Sequence, residues 1–192
     1  MASPWPVPIS GRCGCGSLEY HLTRAPMFIH CCSCHQCQRE SGSTFTLNAM
    51  IEAKYVEITP ASPEQIPKLC FMPTESGKGQ VIARCPRCYV AVWSHYTGTG
   101  PSIAFVRTGT LDKVSAGGDR IDEVLKPGVF IFTEGKQPWL RFDDEVAKSF
   151  ERYYKRDEVW PVEERERYEA TRDENRQWEE RGARWEELGE IC

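Results

Sequence analysis

Eight of the ten cysteines in this 192-residue chain fall into three short clusters with the spacing of metal ligands. Cys13-Gly-Cys15 and Cys85-Pro-Arg-Cys88 are two pairs far apart in the chain. A C-x-x-C turn lets two thiolates converge on one ion while backbone N–H groups of the turn reach the sulfurs, and two such pairs complete a tetrahedral four-thiolate zinc site. An ion held there would staple the first strand to a hairpin late in the domain, so metal binding would contribute to folding itself. The competing reading, disulfides or buried thiols, is weaker, because a disulfide within C-x-C is strained and the chain reads as one from a reducing compartment.

Between the two pairs lies His30-Cys31-Cys32-Ser33-Cys34-His35-Gln36-Cys37. Cys32, Cys34 and Cys37 place three sulfurs within six residues, and no fourth cysteine is near in sequence. Three protein ligands and a vacant position is the pattern of a catalytic zinc. Three thiolates make the ion a softer and weaker Lewis acid than a three-histidine zinc, and suit it to a further sulfur, so a thiol is the natural occupant. The spacing leaves alternatives open. Cys31 could replace Cys32, and His30 or His35 could close the site or act as a hydrogen-bond partner or proton carrier beside it. Arg39 and Arg87 are candidates for steadying a substrate carboxylate. His21 and His95 read as ordinary strand histidines, and Cys70 and Cys192 as spare.

The elements that must position these residues are mostly strands. Leu18, Tyr20 and Leu22 alternate with polar neighbours, as do Phe45 and Leu47. YVEIT (55–59), QVIA (80–83), YVAVW (89–93), SIAFV (102–106) and VFIF (129–132) are further strand candidates, rich in β-branched and aromatic residues. Pro- and Gly-punctuated loops are expected over 59–67, 96–101 and 115–119. Residues 1–10, with three prolines, read as a loose arm, and 11–150 as the zinc domain. Residues 151–192 hold 9 Lys/Arg and 14 Asp/Glu and read as a charged helical extension. In it Tyr168, Thr171, Trp178, Trp185 and Leu188 fall on one helical face, expected to pack on its own domain or to serve a homodimer.

A formal net charge of −4 gives no electrostatic reason to expect nucleic acid. The N-terminus lacks the basic start and apolar run of a signal peptide, and no segment has the ~20 apolar residues of a membrane span, so a cytoplasmic location is expected.

Three motifs in order give the chain a resemblance to a known family. GRCGCGSLEY (11–20) is similar to a Gly-x-Cys-x-Cys-Gly-x-x-x-Tyr opening, HCCSCHQCQRESGSTF (30–45) to a central Cys-x-Cys-x-x-Cys followed by Ser-Gly-Ser, and RCPRCYVAVW (84–93) to a Cys-Pro-x-Cys knuckle. GTL (109–111) and QPWL (137–140) match weaker late features. These resemble the glutathione-dependent formaldehyde-activating enzyme family, whose domain is also called the centromere protein V domain, over roughly residues 10–145. The resemblance implies a mainly β, Mss4-like fold of small antiparallel sheets around the zinc sites. It implies a structural zinc at Cys13, Cys15, Cys85 and Cys88 and a catalytic zinc at Cys32, Cys34 and Cys37, choosing Cys32 over Cys31. It also implies a carbon–sulfur lyase acting on a glutathione adduct, the type reaction joining glutathione and formaldehyde to S-hydroxymethylglutathione. Many relatives carry a histidine before the late Pro-Trp where this chain has Phe130, and the extension after 150 lies beyond the usual domain. The alternative to an enzyme is a zinc-stapled binding module without catalysis.

Overall fold

The computed structural model describes residues 5–59, 65–77, 79–115, 117–122 and 124–182. Mainly β architecture is what the chain adopts. Strands β1 (Ile9–Arg12), β2 (Glu19–Leu22) and β5 (Val56–Ile58) form a small antiparallel sheet in the order β1-β2-β5. The remaining strands are β3 (Phe28–Cys32), β4 (Thr46–Glu52), β6 (Lys68–Met72), β7 (Gln80–Arg84), β8 (Ala91–Tyr96), β9 (Ile103–Arg107), β10 (Val129–Ile131) and β11 (Lys148–Ser149). They join into one eight-stranded sheet, β11-β10-β3-β4-β9-β8-β7-β6. It is antiparallel except where β10 runs parallel to both β3 and β11. Two helices complete the described fold, α1 (His35–Ser41) and α2 (Val162–Glu180).

The pattern of β4 explains why so many strands are needed. Five of its seven residues in succession, Asn48–Glu52, are buried. Successive side chains of a strand point to opposite faces. Ala49 and Ile51 enter a core shared with Ile9, Leu18, Tyr20 and Leu22 of the small sheet and its hairpin, while Met50 enters a second core with Ile131, Tyr154, Trp160 and Tyr168. The large sheet is therefore covered on both faces, by the small sheet on one and by the C-terminal segment on the other.

The opening motif has a packing reason. Gly11 pairs with Tyr20 across β1 and β2, and a Cβ on Gly11 would lie 2.5 Å from the Tyr20 ring. The fully buried Tyr20 needs that space to pack edge-on against Trp93 and to bond Thr110 Oγ1 at 2.7 Å.

Several boundaries move. Strand β1 begins at Ile9, inside the stretch read as an arm, because Ile9 pairs with Leu22 and is completely buried. Strand β8 begins at Ala91 rather than Tyr89, since Tyr89 has φ 59° and closes a turn by donating its N–H to the Cys85 carbonyl at 3.0 Å. Cys70, read as spare, is disulfide-bonded; Cys192 lies outside the described residues.

The segment after 150 is built into the body. Trp160 stacks on Phe28, with ring centroids 4.9 Å apart. Helix α2 buries Tyr168, Thr171 and Asn175, and Trp178 is half-buried further along. Asn175 accepts from the Ser102 N–H at 2.9 Å and donates to the Thr99 carbonyl at 2.5 Å. Arg167 donates to buried Glu52 of β4 at 2.6 Å. The expected apolar face is therefore partly polar, and it lies against its own domain. Trp185 and Leu188 fall outside the described residues. Among the described residues no helix is long and apolar enough to cross a membrane.

Candidate metal centres and the cavity beside one of them

The four-cysteine group is made by two turns. Cys13 and Cys15 follow β1, and Cys85 and Cys88 lie in the β7–β8 connection. All four sulfurs lie within 4.8 Å of one another. Cys13 and Cys15 Sγ are 3.5 Å apart and Cys15 and Cys85 Sγ 3.8 Å. A tetrahedral zinc with Zn–S of about 2.3 Å requires sulfurs roughly 3.8 Å apart, so the group fits the ion. Backbone N–H groups are already aimed at the sulfurs, Leu18 at Cys13 (3.3 Å) and Arg87 and Cys88 at Cys85 (3.4 Å each). Burial opposes ionisation of Cys85, but the N–H groups of Cys88 and Arg87 and the Ser17 hydroxyl outweigh it and bring the thiol to about 6. Cys88, by contrast, is pushed up, first by burial.

The three-cysteine group is made by a strand end and a helix start. Cys32 ends β3, Cys34 is the N-cap of α1 and accepts from the Cys37 N–H at 3.4 Å, and Cys37 sits in the first turn. Their sulfurs also lie within 4.8 Å of one another. Hydrogen bonds from Cys32 and then Cys37 hold the Cys34 thiol down at about 2. The same bonds, with Cys34 first, push Cys32 well up. Cys32 pulls Cys37 down, but Cys34 and burial outweigh it and raise that thiol to about 11. Three soft sulfur donors thus converge, a set that a zinc ion fits. Cys31 points to the opposite face, among Phe130 and Ala147.

Neighbouring elements lock this turn. Gln38 donates to the carbonyls of Ser33 and Gly135, both at 2.7 Å. Gly135 must be glycine for this, since a Cβ there would lie 2.9 Å from the Ser33 carbonyl oxygen. On the other side of α1, Glu40 receives Arg84 at 3.0 Å and Arg107 at 3.1 Å, and Arg107 also donates to Asn48.

The two groups differ in what they face. Cys32 and Cys34 line a cavity of about 670 Å³, whereas Cys13, Cys15, Cys85 and Cys88 do not. Its walls combine the aromatic and aliphatic side chains of Tyr96, Phe105, Ile131 and Phe132 with polar ones such as Asn48, Thr99 and Arg156. The Tyr96 hydroxyl lies 3.8 Å from Cys37 Sγ, and burial holds its proton on.

Both candidate histidines line the cavity, and neither belongs to a ligand group among the described residues. His30 is buried, and its Nε2 meets the Tyr154 hydroxyl at 2.6 Å; that oxygen also accepts the Trp160 indole N–H. Burial, and then the nearby Arg156 charge, push the His30 imidazole down to about 3, so it is neutral at physiological pH. His35 is exposed at the start of α1. His21 and His95 are strand residues, bonded to Ser10 Oγ at 3.3 Å and to the Ile103 carbonyl at 2.7 Å.

Arg39 and Arg87 do not line the cavity. Arg39 is exposed and pairs with Glu75 at 2.9 Å, and Arg87 sits in the knuckle of the other cysteine group. Arg156 lines it instead, a residue that sequence reasoning missed together with Tyr96 and Asn48 of the lining and Tyr154, the partner of His30. The run Arg152-Tyr153-Tyr154-Lys155-Arg156, aromatic and basic in an otherwise acidic segment, was the available signal.

The sequence matches the family described as glutathione-dependent formaldehyde-activating enzyme over residues 8–135, more than half of the chain. No curated protein matches it. Among solved structures, the crystal structure of a Rhodobacter sphaeroides protein, a structural genomics target, aligns with a TM-score of 0.40 and 16% identity, over 56% of this chain and 92% of that one.

Proposed function

Because the chain belongs to the glutathione-dependent formaldehyde-activating enzyme family, we propose that it is a zinc-dependent carbon–sulfur lyase acting on an adduct of glutathione or a related thiol. Cys32, Cys34 and Cys37 would hold the catalytic ion, and Cys13, Cys15, Cys85 and Cys88 a structural one. The observation that carries this reading is the opening of the three-sulfur group, and not of the four-sulfur group, onto a cavity of about 670 Å³. That volume is in the range of small-molecule sites, and its lining mixes apolar side chains with a few polar groups that could orient a ligand.

Zinc bound by three thiolates supplies a soft Lewis-acidic position that lowers the pKa of a fourth, incoming thiol. The reaction involves no change of redox state. The sulfur forms a bond to the carbonyl carbon, the carbonyl π pair moves to oxygen, and the proton lost from the thiol ends on that oxygen; the reverse step breaks the same bond. The chain must therefore hold the thiol, exclude water and move one proton. His35, exposed at the start of α1, would exchange that proton with solvent. His30, held neutral and tied to Tyr154, is suited to orient a polar group of the substrate rather than to store charge. The α2 face carrying Tyr168, Thr171 and Asn175 is used within the chain, so a homodimer through this helix would use its other side.

The test follows formation of S-hydroxymethylglutathione from glutathione and formaldehyde by NMR exchange, with zinc-replete protein and its Cys34→Ser variant. We expect acceleration above the uncatalysed exchange, reduced at least about 100-fold in the variant. No acceleration with formaldehyde or other small aldehydes would contradict the reading and favour the zinc-stapled binding module.

A further inference from the structure

We propose that Arg156 is the anion anchor of this cavity, fixing a carboxylate of the thiol substrate while its sulfur sits at Cys32, Cys34 and Cys37. The proposal rests on the thiol-handling reading above and adds to it a substrate class, thiols that carry a carboxylate away from the sulfur.

The charged residues lining the cavity are Glu75, Glu134 and Arg156, beside His30 and His35. The two glutamates are both paired, Glu75 with Arg39 at 2.9 Å and Glu134 with Arg152 at 3.3 Å. Among the described residues Arg156 has no carboxylate partner. Its guanidinium is held by aromatic rings, 4.0 Å from the Tyr168 centroid, 5.5 Å from Tyr153 and 5.7 Å from Trp160. One Nη2–H donates to the Tyr153 hydroxyl at 3.2 Å, while Nε is buried and meets no acceptor. A ring-stacked guanidinium loses little further freedom on binding, and its planar fork of donors matches a carboxylate in two parallel hydrogen bonds.

Position supports the assignment. Tyr153, which accepts from Arg156, lies with its ring centroid 5.9 Å from that of His30, and His30 stands two residues before Cys32 on β3, so Arg156 lies on the cluster's side of the cavity. Trp160 and Tyr168, which hold Arg156, are themselves buried in the core that contains Cys32 and Cys37. Arg156 lies beyond residues 8–135, where the family match ends. This device for selecting substrates therefore belongs to the C-terminal segment of this chain rather than to the shared domain.

The test is calorimetric titration of the zinc-loaded full chain with glutathione and with glutathione diethyl ester. The two compounds share a thiol, and the ester has both carboxylates capped. Wild-type protein should bind glutathione at least about tenfold more tightly than the ester, a difference worth about 1.4 kcal/mol. Arg156→Gln should weaken glutathione to the level of the ester and leave the ester within about twofold. Arg156→Lys, which keeps the charge and the stem, should recover part of the preference. A purely structural role would weaken both compounds together. Equal losses, or no loss, in Arg156→Gln and Arg156→Lys would overturn this proposal alone. Binding of neither compound to wild-type protein would overturn the thiol-handling reading and this proposal with it.

Discussion

The two cysteine clusters use the same donor atom and similar turns, yet differ in what surrounds the sulfurs. At the four-cysteine group the chain brings together four sulfurs, enough to fill a tetrahedral ion's positions, from segments 70 residues apart. At the three-cysteine group the sulfurs come from one continuous stretch, the local frame is fixed by Gln38, Gly135 and Glu40, and one side opens onto a cavity. The first arrangement ties distant elements together, so an ion held there would belong to the fold. The second is held in place by hydrogen bonds and ion pairs that do not need an ion, which would leave a metal bound there available for chemistry. The difference lies in sequence separation and in the neighbours rather than in the cysteines themselves.

The strongest way to break this comparison is to remove one ligand from each cluster and compare stability. Cys85→Ser should abolish cooperative folding, since structural zinc contributes on the order of 10 kcal/mol in small zinc domains and a whole domain is stable by only about 5–15 kcal/mol. Cys34→Ser should keep a cooperative melt within a few degrees of wild type while losing one of two zinc ions. Thermal melts followed by circular dichroism, with elemental analysis of both proteins, check this. Equal collapse of the two variants would make both clusters structural.

A smaller effect sharpens the comparison by moving away from both clusters. Burial pushes Glu52 up, but hydrogen bonds from Arg167 and the charges of Arg167 and Arg24 outweigh it and hold its carboxyl below the ordinary value. Its contribution to stability is therefore fully present above the unfolded value of about 4.3 and is lost as pH falls through the lower folded value. Glu52→Gln should lose roughly 1–3 kcal/mol at pH 7, keep both zinc ions, and approach wild type only below about pH 4. Denaturant titrations at several pH values give the difference. A gap independent of pH would show that the Arg167 ion pair does not dock the C-terminal segment.

How far sequence could reach follows from the range of each signal. The clusters were readable because metal ligands must recur at spacings set by turn geometry, and the choice of Cys32 over Cys31 agrees with strand alternation, which sends Cys31 to Phe130 on the other face. Strands with alternating or β-branched residues were readable too. β3 was not, because its Cys31 and Cys32 and His30 read as a ligand motif, and β6 was not, because Lys68–Met72 has a weak pattern. The walls of the cavity were beyond reach. Tyr96, Asn48 and Arg156 come from three separate segments, and only the joining of β4 to β8 through β9, with the C-terminal segment packed against the sheet, brings them together. Charge composition suggested a boundary at 150, but Tyr154 and Trp160 cross it to complete a core around His30 and Phe28.

Cobalt replacement bears most directly on the contrast between a closed and an open site. Both clusters loaded with cobalt would show thiolate-to-metal absorption, and glutathione is then added while the spectrum and proton release are followed. The account predicts a saturable change confined to the bands of one ion, absent in Cys34→Ser, with release of about one proton for each thiol bound. A spectrum that responds to neither glutathione nor other small thiols would contradict it, since both clusters would then be closed.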